Sequence, residues 1–382
     1  MNAYASPLLG DEESEVRAGI PSSTPDRKGN AASSRKTACH VRLLAHELHS
    51  DWESYLKAHP SASIFHTLAW RDAVADSFGH EAIYLVATRG DSLVGVLPAF
   101  LVKSRFAGRM LVSVPYGVGG GILADDDEAV EALFSHARHV ANEKGCGFID
   151  LRSENAVVPE VPIVDRYVGF HRELPDRPED VLGWLPRKAR AAARNARTKY
   201  GLTVSLGDEH LAEVWRLYSI SMRRLASLTY PFRFFERLAE NLPQQHWTCV
   251  VRRQGRVVAG LLTLLFRDRV MPYFVGTTDE AKHCSAANFI YLATMERAVE
   301  EGYRVFDFGR SRRDNTGSYD FKRFHGFEPQ PLGYQCFTMP GHARPDLTPS
   351  NPAFAVARGA WPCLPLRLTQ FIGGRLARHI PG

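Results

Sequence analysis

Long apolar runs are missing from this chain. No stretch of roughly 18 or more apolar residues occurs, so no membrane-spanning helix is expected. The opening residues, MNAYASPLLGDEESEVRAG, lack the basic start and apolar core of a secretory leader, which points to a cytoplasmic protein. Cysteine is scarce and scattered: Cys39, Cys146, Cys249, Cys284, Cys336 and Cys363 show neither Cys-x-x-Cys nor a Cys/His spacing suited to zinc. They read as small apolar residues in a reducing compartment, and no metal site is predicted. Gly-x-Ser-x-Gly is absent, which removes the serine-hydrolase elbow, and His283-Cys284 reads as helix-cap packing rather than a catalytic dyad. His66 and His325 have no evident partners in the sequence. Nor is charge strongly one-sided: a net +5 does not mark a nucleic-acid binder, although local clusters still count.

What is present suffices for two ordinary domains: 382 residues, 45% hydrophobic and 23% charged. Residues 1–38, rich in Ser, Gly, Pro, Ala and charge, are expected to be disordered. One pattern then occurs twice. The first copy has a hairpin over 83–88 and 93–102, a third strand over 110–116, a helix over 127–144 stopped by Gly145, and the strand Phe148-Ile149-Asp150-Leu151. In the second copy the strands are 248–253, 257–266 and 270–275, the helix is 286–301 stopped by Gly302, and Val305-Phe306-Asp307-Phe308 follows. Each Asp follows its Gly by five residues. This order predicts an α/β fold with mixed sheets, duplicated as a first domain over 39–175 and a second over 176–340.

Charge is placed unusually at three points. Over 181–200 a single helix is expected, with Arg187, Arg190, Arg194 and Arg197 along one face and no acid from Arg187 to Lys199. Such a stripe is a solvated face or a cradle for phosphates. The Pro-rich tail, 341–382, ends in apolar residues mixed with Arg358, Arg367, Arg375 and Arg378; it suits docking on the protein's own surface or contact with an anionic inner membrane. Asp307 lies inside an apolar run, and Lys322 lies between Phe321 and Phe324. A buried charge costs several kcal/mol unless paired, roughly, so such placements are usually tolerated at a site. The bland alternatives are a loop-capping Asp307 and a snorkelling Lys322.

The step into FDFGRS, then Gly317 and FKRFHGFEP, resembles the C-terminal motif of the Fem-type aminoacyltransferases and their relatives with two GNAT-like domains. Residues 41–340, with Trp70, GVLPAF, Ser113 to Tyr116, Gly119 to Gly121 and the basic helix, resemble the FemAB-related branch associated with exosortase (PEP-CTERM) and exopolysaccharide systems. The resemblance implies tandem GNAT-like domains forming a cleft. It also implies transfer of an aminoacyl or acyl group to an amine or hydroxyl of a cell-envelope glycan or its precursor. Lys322 would match the family's Phe-Lys step near the reacting carbonyl, and Trp70 and Tyr116 would fall with the substrate-binding residues. Two departures appear: Ala73 and Val74 stand where Fem enzymes acting on peptidoglycan precursors have a lysine, which counts against a UDP-linked muropeptide, and no coiled-coil arm is present.

Acyl transfer needs a deprotonated nucleophile, donors for the developing oxyanion and a hold on the donor's carrier. Lys322 is the candidate for oxyanion or leaving-group stabilisation, a role contributing roughly 3 kcal/mol. Asp307 would orient it or accept the nucleophile's proton; Tyr319, Arg310 and Arg312 would line the loop over the acceptor; Arg187, Arg190 and Arg194 would hold phosphates. No bound cofactor is expected, the donor being an aminoacyl-tRNA or an acyl-CoA. CoA enzymes of this fold place glycines before the crossover helix, whereas Gly276 is followed by none up to Asn288, and Asp125 to Asp127 follow Gly119 to Gly121. A CoA-dependent N-acetyltransferase is the alternative within the fold, and a non-catalytic polysaccharide-binding or scaffold protein the alternative outside it.

Overall fold

The computed structural model describes residues 38–343 and 355–382. The segment expected to be disordered lies outside the described residues but for its last position, as does 344–354 of the tail. In the N-terminal half the expected hairpin forms, Leu85–Arg89 against Ser92–Leu97, but the return strand stops at Leu97 rather than running to residue 102. Pro98 has no N–H for a ladder. There the chain crosses to another sheet as Phe100–Ser104. That sheet runs, in spatial order, Tyr334–Thr338, Phe148–Arg152, Gly108–Val112, Phe100–Ser104 and Glu81–Ala82. Gly108–Val112 and Phe148–Arg152 are parallel and joined by the helix Asp127–Glu143, which Asp126 caps by accepting from the Ala129 N–H.

The C-terminal half repeats this order. His246–Arg253, Arg256–Phe266 and Arg269–Thr277 form an antiparallel meander, the helix Ala286–Glu300 crosses over, and Val305–Arg312 returns parallel to the third strand. Only Arg269 with Val305 and Val270 with Phe306 are in register, and beyond them the two strands part. The fold is mixed α/β with several mixed sheets.

Strands cross the line drawn at 175/176. Tyr167–Glu173 pairs antiparallel with Val305–Arg312, and Tyr334–Thr338 pairs with Phe148–Arg152. Apolar alternation marks a strand without naming its partner, so this exchange was invisible in the sequence. Arg267 ties the halves again: its guanidinium donates to the carbonyls of Lys57 at 2.9 Å and His59 at 2.8 Å, and to that of Leu56, where the helix His49–Ala58 ends. A cation on the orphan carbonyls of a helix end is well placed. Arg267→Met is expected to cost about 2–3 kcal/mol of stability, read as a lowered urea midpoint; an unchanged midpoint would remove the clasp from the account.

The basic stretch is two helices, Pro178–Trp184 and Arg187–Thr198, not one. Pro186 disfavours helical backbone at the residue before it, and Leu185 sits at ψ 146. Ala189, Ala193 and Ala196 turn inward, against the helix Ala286–Glu300. The tail helix Leu366–Leu376 lies on the protein's own surface, so close that a β carbon on Gly373 would sit 2.8 Å from the Thr229 nitrogen. No described helix is long and apolar enough to cross a membrane.

Candidate active site

A cleft of about 290 Å³ opens between the two halves. Part of its wall is the strand pair Val305–Arg312 and Tyr167–Glu173, which sets Asp307 opposite His171. The register shifts between Asp307 and Arg310, making a bulge at which Gly309 adopts φ +64, a conformation that suits glycine. The buried Asp307 carboxylate accepts from the Gly309 N–H at 2.7 Å and from Arg269 Nη1 at 2.9 Å. Arg269 Nη1 is also 3.7 Å from Glu154 Oε1, and that oxygen is 4.0 Å from His171 Nδ1. A line of alternating charge thus ends on a half-buried imidazole at the cleft. With a carboxylate beside it, such a ring can take a proton and have the resulting charge stabilised.

The facing wall is the turn Ile64–His66 and the loop Gly119 to Gly121. The Ser63 N–H donates to His66 Nδ1 at 3.1 Å, so Nδ1 is the acceptor and Nε2 carries the proton it gives to the Gly121 carbonyl at 3.2 Å. Burial pushes His66 down to about 4, so it stays neutral and clamps the glycine loop. Gly121 is required by close approach: a β carbon there would lie 1.8 Å from Ser153 Oγ. His325 also has a partner that the sequence did not show, the Phe321 carbonyl 2.8 Å from its Nδ1.

Of the residues singled out from the sequence, Asp307 reaches the cleft. Lys322 does not line it. Its buried ammonium donates to the carbonyls of Gly309 at 3.2 Å and Arg310 at 2.9 Å and lies 5.1 Å from the centre of the Phe170 ring. Since Gly169 and His171 border the cleft, Phe170 points to the opposite face of its strand, and Lys322 with it. Among the described residues no hydrogen bond or ion pair joins Lys322 to Asp307; the carboxylate is taken by Arg269, and the lysine holds the bulge from behind. Burial pushes Lys322 down to about 7. Tyr319 packs edge-on against Phe170 at 5.3 Å, and Arg312 donates to Asp314 at 2.8 Å.

Arg310 is turned by the bulge toward Tyr167 and Tyr334, with its guanidinium carbon 4.6 and 5.6 Å from their ring centres. Tyr116 is buried, stacked on Phe78 at 3.9 Å, with its hydroxyl 2.9 Å from His80 Nε2. Trp70 is fully buried beside Phe65 and Phe234 and serves the core. Arg187 and Arg194 are exposed, Arg190 donates to the Leu185 carbonyl at 3.0 Å, and none of the three borders the cleft. Sequence reasoning missed His171, Glu154 and Arg269. The one available signal was the alternation in YVGFHRE, which puts Gly169 and His171 on a common face.

Residues 185–323 match the family model described as an acetyltransferase (GNAT) domain. The fold is that of this class, and the match supports an acyltransferase. Among solved structures the chain is similar to FemX, with a TM-score of 0.61 and 14% identity over 78% of this chain and 97% of that one. It is also similar to a tandem GNAT protein from the clavulanic acid biosynthesis pathway, with a TM-score of 0.52 and 14% identity over 79% and 98%. A conserved protein of unknown function from Bacteroides thetaiotaomicron aligns with a TM-score of 0.50 and 11% identity over 78% and 99%. At such identities the likeness speaks for the fold alone. No curated protein matches the sequence.

Proposed function

We propose that the cleft carries out acyl transfer of the Fem type, moving an aminoacyl or acyl group to an amine or hydroxyl of a cell-envelope glycan, exopolysaccharide or peptidoglycan precursor. The observation that carries this reading is that His171, Glu154 and the Arg269–Asp307 pair line the same cleft within a chain of close contacts. His171 takes the nucleophile's proton as the nucleophile attacks the ester or thioester carbonyl, and Glu154 stabilises the imidazolium. The Arg269 guanidinium, held by Asp307, offsets charge on the carbonyl oxygen; the proton then passes to the leaving group as the carbonyl re-forms. Lys322 acts through the bulge it supports. The exosortase and exopolysaccharide setting comes from the resemblance over 41–340. Mass spectrometry of envelope glycans from cells with and without the gene tests the whole: an acyl mass difference is expected, and identical glycans would overturn it.

The carrier is read as an aminoacyl-tRNA. Between Thr277 and Ala286, where CoA enzymes of this fold cradle pyrophosphate, the chain presents Asp279 and Glu280, paired with Arg224 at 3.0 Å and Arg253 at 2.8 Å. The exposed Arg187 and Arg194 would meet the carrier's phosphates. A CoA thioester is the second reading, favoured by the acetyltransferase-domain match. Isothermal titration with acetyl-CoA separates the two: no binding heat is expected, and saturable heat would reassign the donor. On the tail helix the exposed Leu368 and Phe371, flanked by Arg367 and Arg375, would give the protein a peripheral contact with the anionic inner membrane.

A further inference from the structure

The chain's own residues 377–382 lie against Ser104, Tyr116 and Arg152 and are held there through their main-chain carbonyls. The Pro381 carbonyl accepts from the Tyr116 N–H at 2.8 Å and from Arg152 Nη1 at 2.9 Å. The Ala377 carbonyl accepts from the Tyr116 hydroxyl at 3.1 Å, and the His379 carbonyl from the Ser104 hydroxyl at 2.7 Å. These contacts hang the segment on main-chain carbonyls, a set of bonds that another carbonyl compound can replace. Tyr116, whose N–H is one of these donors, sits at φ +65, an unusual backbone for a bulky residue.

Beyond Pro381 lies a second feature. A β carbon on Gly382 would be 3.3 Å from the Tyr230 hydroxyl and 3.6 Å from Arg310 Nη2. Arg310 is flanked by phenols: Tyr167 and Tyr334 lie under its guanidinium, Nη1 is 3.3 Å from the Tyr334 hydroxyl, and Nη2 and the Tyr230 hydroxyl converge at Gly382, while the Tyr334 and Tyr273 hydroxyls donate to the carbonyls of Val118 and Tyr116. Among the described residues no side-chain carboxylate pairs with it, whereas Arg152, which also reaches the Pro381 carbonyl, is neutralised by Asp150 at 3.1 Å. A guanidinium taken out of water with no counter-ion is unfavourable, and one monoanion would satisfy it. A phosphate dianion would call for a second unneutralised cation, which the cage does not offer.

We propose that the Arg310 cage binds the carboxylate of a ligand and that residues 377–382 are the stopper that moves aside to admit it. The ligand's carboxylate meets the planar fork of Arg310 and the Tyr230 hydroxyl. A carbonyl one residue before it takes over the Tyr116 and Arg152 donors that Pro381 releases, so the class is an N-acylated amino acid. This is a binding equilibrium and stands or falls without reference to acyl transfer in the cleft.

The full-length chain is titrated calorimetrically with N-acetylglycine and with its neutral amide, N-acetylglycinamide, and hydrogen exchange of 377–382 is followed at saturation. The acid is expected to bind at least roughly tenfold tighter than the amide, and the segment to lose protection as it binds. Ala377→Gln, which forces a larger side chain into a fully buried position of the stopper, is expected to tighten acid binding about tenfold; Arg310→Met is expected to abolish it. Equal affinity for acid and amide, absence of binding, or unchanged protection at saturation would each overturn the proposal. Should Arg310→Met fail to fold, the comparison of acid with amide on the unaltered chain decides alone.

Discussion

His171→Gln is expected to lower kcat for acyl transfer about 10²–10⁴-fold with little change in stability, the range set by loss of a positioned general base. Gln keeps the bulk and the hydrogen-bonding reach of the imidazole but cannot exchange a proton near neutrality. The backbone pairing of His171 with Asp307 does not involve the side chain, so the strand and the cleft wall should persist. Because the ring is argued to act on the proton rather than to hold substrate, KM should move little. Steady-state kinetics with the acyl donor identified by glycan analysis provide the measurement. A variant within threefold of the unaltered protein would take His171 out of the chemistry and leave the cleft without a base.

Stability is expected to rise with pH between about 7 and 10.5 because of Lys322, by up to about 1.4 kcal/mol per pH unit. Burial lowers the folded-state pKa to about 7, against an unfolded value of 10.5. Below pH 7 both states carry the proton and the fold bears the full cost of the buried charge. Between the two values the unfolded chain binds a proton that the folded chain does not, so raising the pH favours the fold; above 10.5 the dependence ends. Lys322→Met should remove this rise in urea unfolding followed from pH 6.5 to 9.5, while leaving the Gly309 and Arg310 carbonyls without their donor, a loss of about 1–3 kcal/mol. Its effect on transfer should come through the bulge, as a lower kcat. The same stability slope in the variant would assign it to other groups.

Much of the architecture was legible along the chain because local chemistry decides it. Gly145 and Gly302, both at positive φ, close the crossover helices where the repeated Glu-Lys-Gly and Glu-Glu-Gly steps put them. The apolar period of 127–144 and 286–301, and the alternation in the strands between them, follow from which faces must be buried. Asp307 announced itself as a carboxylate in an apolar run and does border the cleft. Pro98 and Pro186 could have been given more weight: each broke an element drawn through it, for the reason that its ring removes a donor and restrains the residue before it.

Tertiary structure alone decided which charges meet. Asp307 and Lys322 are close in sequence and share a bulge, yet a strand's two faces separate them, so the carboxylate finds Arg269 and the ammonium finds main-chain carbonyls. Glu154, His171 and Arg269 come from three separate stretches and converge because Tyr167–Glu173 adds to the sheet of the other half, a pairing that no pattern of residue types encodes. Likewise, nothing in the composition of 377–382 tells that the Pro381 carbonyl accepts from Arg152 and Tyr116. Periodicity and turn chemistry are properties of neighbours along the chain, and they determined the elements. The site depends on hydrogen bonds between strands distant in sequence, whose register and partners are chosen only when the sheets assemble.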